Sequence, residues 1–128
     1  MADCSIVAVV TDMIFATRIK AEARALDVPV RVICDSHALD ESLRTTPVRL
    51  LIVDLNAQGV DTLAAIARAR RQDVPPRIVA YLSHVQRALA AQAAAAGAAE
   101  VLPRSRFIGV LPELLHTYGK TGIVFKQH

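Results

Sequence analysis

Five short apolar runs recur along the chain, at Ile6 to Val10, Val30 to Cys34, Leu50 to Val53, Arg77 to Leu82 and Glu100 to Leu102. Their length and their content of β-branched residues predict strands buried on both faces. The segments between and after them carry helical periodicity, which predicts helices over Phe15 to Leu26, His37 to Leu43, Asp61 to Arg71, Val85 to Ala96 and Phe107 to Tyr118. Strand and helix therefore alternate. Parallel strands joined by right-handed helical crossovers give an α/β fold, a single doubly wound (βα)5 domain. Its five-stranded parallel sheet has the order 2-1-3-4-5, with helices on both faces.

The turn residues agree with that division. Val28-Pro29 and Val74-Pro75-Pro76 end helices ahead of the second and fourth strands, because a residue before proline is pushed out of the α region. Gly97 follows the alanine-rich stretch Ala88 to Ala96, where a left-handed carboxyl cap is expected. Asp61 and Ser36 are the expected amino caps of two helices, and Asp40-Glu41 adds negative charge early in the second helix. Residues 1–118 are expected to form the domain and residues 119–128 a tail or linker. In that tail Ile123-Val124-Phe125 is apolar enough to dock on the domain or on a second subunit.

A chain of 128 residues that is 53% hydrophobic and 21% charged can bury one sizeable core, which excludes wholesale disorder. Cys4 and Cys34 have no metal-ligand spacing, and Cys34 is expected to be a small buried residue. Neither a signal peptide nor a membrane span is recognisable, so a cytoplasmic location is expected. The net charge of +3 is mild. Its densest basic cluster, Arg68, Arg70, Arg71 and Arg77, falls at a helix end, where the helix dipole favours cations. No aromatic residues interleave with it and no helix-turn-helix follows the domain, so neither nucleic acid nor a membrane is an expected partner.

In the predicted sheet, the carboxyl ends of the first, third, fourth and fifth strands bring Thr11-Asp12, Asp54, Ser83 and Arg104 to one crevice. Such a set suits a divalent metal between carboxylates, a phosphoryl group accepted on one of them, and a hydroxyl and a cation on the transferred oxygens. Asp12 serves equally well as a cap on the first helix, and for Asp54 the favoured reading is a strand-end carboxylate paired with Arg104. Asp35, at the sheet edge, has no expected role in the crevice. Ser83 and His84 are adjacent in the chain and so rarely direct their side chains at each other; with no Gly-x-Ser-x-Gly setting, an enzyme is not expected.

From residue 5 to about 117 the chain resembles the receiver domain of two-component response regulators, in a degenerate form. Asp12 matches the second of the family's two acidic positions after the first strand, Asp54 the phosphoacceptor, Asn56 the residue whose backbone carbonyl contacts the metal, and Ser83 the hydroxyl after the fourth strand. Ala96-Gly97-Ala98 matches the small-residue turn before the fifth strand. The resemblance implies a magnesium site of Asp12, Asp54 and Asn56, weakened because Thr11 stands at the first acidic position. It also implies Ser83 and Arg104 as phosphate contacts, although Arg104 and Ser105 replace the family's lysine and proline. Leu82 is an alternative occupant of the hydroxyl position, and Val101 leaves no ring at the family's aromatic switch.

The function implied is an atypical single-domain receiver that signals through protein contacts, with a histidine kinase or another signalling protein as partner and a homodimer compatible with its size. Phosphotransfer to Asp54 is left open. The contact surface implied comprises Val85, Leu89, Val101, Arg106, Phe107 and Leu111. The alternative is a flavodoxin-like sensor of a small ligand or nucleotide, against which stands the lack of a glycine-rich loop after the first strand.

Overall fold

A computed structural model describes residues 5–119. The expectations for Cys4 and for residues 120–128, including the docking of Ile123-Val124-Phe125, lie outside the described residues. Strands β1 (Ile6–Val9), β2 (Val30–Ile33), β3 (Leu50–Asp54), β4 (Arg77–Leu82) and β5 (Glu100–Pro103) alternate with five helices. These are α1 (Met13–Ala25), α2 (Ser36–Thr45), α3 (Thr62–Arg70), α4 (Arg87–Ala96) and α5 (Arg104–Gly119). All strand pairs are parallel and their order is β2-β1-β3-β4-β5, as the apolar pattern predicts. Among the described residues no helix is long and apolar enough to cross a membrane.

The sheet has two wet edges and two dry faces. Val7, Val9, Leu51, Val53, Ile78, Ala80 and Leu82 pack against α2, α3 and α4, through Leu39, Ala65, Ile66, Ala69 and Ala93. The alternate positions Ile6, Ala8, Leu50, Ile52, Val79 and Tyr81 meet Phe15, Ile19 and Ala23 of α1 and Phe107, Leu111 and Leu115 of α5. Because β1 and β3 are covered on both sides they read as unbroken apolar runs. A core truncation such as Ile52→Ala would therefore cost about 2–5 kcal/mol.

Local chemistry fixes where the helices begin and end. Asp12 caps α1 through bonds from the Ile14 and Phe15 N–H groups, and Asp61 caps α3 through the Ala64 N–H. For α2 the cap is Asp35, which accepts from the Ala38 N–H, rather than the expected Ser36, the first helical residue. A carboxylate one residue upstream reaches the same orphan donors and adds charge favourable to the helix dipole. Gly97 ends α4 at φ 131°, and its own N–H bonds Ala93 and Ala94 carbonyls. A Cβ there would sit 2.9 Å from the Arg70 side chain, so both conformation and space select glycine. Cys34 is exposed rather than buried, because β2 is an edge strand and the chain has left it by that residue.

Candidate functional site

At the carboxyl edge of the sheet Thr11, Asp12, Asp54, Asn56, Gln58, Ser83 and Arg104 line one crevice of about 360 Å³. Asp54 is the last residue of β3 and is 2% exposed, with its Oδ1 accepting from the Asn56 N–H at 2.9 Å. The Asn56 side chain joins two loops: its oxygen accepts from the Ser83 N–H at 2.8 Å and its amide donates to Gln86 Oε1 at 2.7 Å. Ser83 is therefore the hydroxyl of the crevice. Leu82 points the other way, into the core beneath α3 and α4.

Arg104 spans this crevice. It is the first residue of α5, and its Nη2 donates to Ser83 Oγ at 3.1 Å and lies 3.5 Å from Asp12 Oδ2. Its guanidinium carbon sits 4.7 Å from the centre of the Phe15 ring and 6.0 Å from that of Tyr81, within cation–π range. The pairing of Arg104 with Asp54 is thus replaced by pairing with Asp12. The fixed stem of Arg104 on α5 and the stacking on Phe15 draw the planar head toward α1, while Asp54 receives only its longer-range field.

Burial pushes the Asp54 carboxyl above its usual range; the Asn56 N–H and the nearby Arg104 charge pull the other way without overcoming it. Sequence reasoning missed Tyr81, which is directly opposite Asp54 in the β3–β4 register. Its ring stacks on Phe107 at 4.6 Å between centroids and tilts against Phe15 at 5.0 Å. The Tyr81 hydroxyl is enclosed with no acceptor in hydrogen-bonding geometry, the Asp54 carboxylate being its nearest polar neighbour across the strands, and burial, with the Asp54 charge next, raises its pKa. One signal was available: Tyr81 is the polar-tipped member of the otherwise apolar run Ile78 to Leu82, two positions before Ser83, and strand alternation puts it on the Asp54 side.

These donors do not fit magnesium. The ion demands near-octahedral oxygen ligation and keeps its carboxylates anionic and free. Here one Asp12 oxygen caps α1 and the other faces Arg104, Thr11 Oγ1 accepts from the Gln58 N–H at 2.8 Å, and Asp54 is desolvated. Among the described residues no three His, Cys, Asp or Glu side chains gather into a metal-binding group. Asp12 also occupies the N–H donors of α1 that would otherwise receive a nucleotide phosphate.

Beside the crevice a second hollow, of about 570 Å³, opens between the β4–α4 loop and α5, lined among others by Val85, Ala90, Val101 and Ile108. Val85 is 84% exposed at its rim. Of the expected contact residues, Val85 and Val101 line it, Arg106 is exposed outside it, and Leu89 packs partly on the core. Phe107 and Leu111 are corrected: both are fully buried under β1, β3 and β4, because the apolar stripe of α5 faces the sheet. His84 lines the same hollow and is exposed.

No protein-family model matches the chain, and no curated protein matches it. Among solved structures it is similar to the signal receiver domain of a response regulator from Bermanella marisrubri, with 23% identity and a TM-score of 0.74 over 88% of this chain and 95% of that one. The receiver domain of NtrX from Brucella abortus matches with 18% identity and a TM-score of 0.76, over 91% and 98% of the two chains. A response regulator from Burkholderia pseudomallei, solved with a phosphorylated aspartic acid, a calcium ion and citrate, matches with 20% identity and a TM-score of 0.71 over 91% and 66%. The fold is that of the response-regulator receiver domain.

Proposed function

We propose that this chain is an atypical receiver-type signalling module whose output is a protein contact and whose active conformation does not depend on phosphorylation of Asp54. The observation that carries the reading is Arg104, which bonds Ser83, faces Asp12 and stacks on Phe15. A working phosphoacceptor needs its cation and hydroxyl free to meet the transferred oxygens, and its acids free to hold a metal. Here those groups satisfy one another. The permanent arginine charge holds the crevice in one arrangement.

The partner is a histidine kinase or another signalling protein, or a second copy of the chain, and it engages the hollow around Val85, Val101 and Ile108. Intact-protein mass after incubation with magnesium and acetyl phosphate tests the reading, with Asp54→Asn and a conventional receiver as controls. No mass gain is expected under conditions that modify the conventional receiver. Gain of one phosphoryl group, lost in Asp54→Asn, would overturn it.

A further inference from the structure

The arginine cluster singled out in the sequence divides in the structure. Arg77 pairs with Glu100 at 3.1 Å, and Arg70 lies along Gly97. Arg68 and Arg71 instead turn toward α2 and, with Arg44, line a hollow of about 440 Å³ between the ends of α2 and α3. Its one carboxylate, Asp40, is already engaged by Arg68 Nε at 2.7 Å. The helix dipole explains why Arg44 and Arg71 stand at helix ends, but not why two further cations face the same hollow as Arg68. Like charges around one concavity repel, and an anion relieves that repulsion.

A smaller hollow of about 200 Å³ adjoins it, shares Leu43 and Gln72, and continues over Pro47, Val74 and Pro76, with Asp73 as its only carboxylate. Val74 is 83% exposed, one of four large apolar side chains so placed among the described residues. Cationic and apolar halves thus form one continuous track, at the end of the domain opposite Asp54. We propose that this track binds an extended segment of a partner protein in which acidic residues adjoin an apolar anchor. The acidic residues meet Arg44 and Arg71, and the anchor covers Leu43 and Val74. Free phosphate would satisfy only the first half.

The test is titration of the full chain with a short labelled peptide, polyglutamate in one half and leucine-rich in the other, read by fluorescence anisotropy and amide NMR shifts. Binding is expected, with shifts confined to the Leu43–Arg44 and Arg71–Val74 regions. It should weaken at least about tenfold in Arg44→Glu with Arg71→Glu, since like charges then face the acids. It should weaken several-fold in Val74→Ser and with added salt, and stay unchanged in Asp54→Asn. Absence of binding, insensitivity to the arginine reversals in a variant that keeps its fold by circular dichroism, or equal competition by pyrophosphate would overturn the proposal.

Discussion

Replacing Tyr81 with phenylalanine removes one oxygen from the middle of the molecule and leaves the ring where it is. The ring is held by Phe107 on one side and Phe15 on the other, so its packing survives the change. The hydroxyl is enclosed, and the Asp54 carboxylate beside it acts on it electrostatically but lies outside hydrogen-bonding geometry, whereas in the unfolded chain water satisfies it. An unpaired buried hydroxyl costs about 1–3 kcal/mol, and the small gap left by the missing oxygen returns part of that. Tyr81→Phe should therefore stabilise the protein by about 1 kcal/mol, raising Tm by roughly 3–5 °C for a domain of this size. Urea denaturation at neutral pH, followed by far-ultraviolet circular dichroism, checks this as a higher midpoint with an unchanged slope. A loss of about 1 kcal/mol or more would refute the reasoning, because the hydroxyl would then have a partner, most simply the Asp54 carboxylate beside it.

Asp54→Asn should stabilise the protein at neutral pH. Because the folded-state pKa of Asp54 is raised, the folded chain binds the proton more tightly than the unfolded one. Wild-type stability is thus fully present below the ordinary carboxylate pKa and falls as pH rises through the raised one. The gap between variant and wild type in urea midpoints should accordingly close on acidification toward pH 4 and widen at pH 7. Gly97→Ala should cost about 1–2 kcal/mol in the same assay, through positive φ and contact with Arg70. Arg104→Lys alone should leave acetyl phosphate unreactive, whereas Thr11→Asp with Arg104→Lys should gain a phosphoryl group in magnesium; mass spectrometry separates the two.

The sheet order, both dry faces and the caps at Asp61 and Gly97 were legible because they follow from local pattern and backbone chemistry. So was the gathering of Asp12, Asp54, Ser83 and Arg104, which strand ends alone dictate. Who pairs with whom inside the crevice was not legible. Arg104 has several acceptors and rings within reach, and the choice of Asp12, Ser83 and Phe15 over Asp54 depends on side-chain geometry that no linear pattern encodes. Phe107 and Leu111 show the same limit from the other side: their spacing predicts one helical stripe, but only packing shows that the stripe faces the sheet rather than a partner. Tyr81 went unnoticed because an aromatic in a buried strand reads as core, and its tip became informative only once Asp54 was known to lie beside it.

The most direct measurement is the amide NMR spectrum of the protein with and without magnesium and beryllofluoride, a non-covalent mimic of a phosphorylated carboxylate. If Arg104, Asp12 and Ser83 satisfy one another, the two spectra should coincide, with Ser83, Gln86 and Arg104 unmoved. Saturable shifts at those residues, absent in Asp54→Asn, would show a crevice still able to switch, and phosphorylation-independent signalling would have to be abandoned.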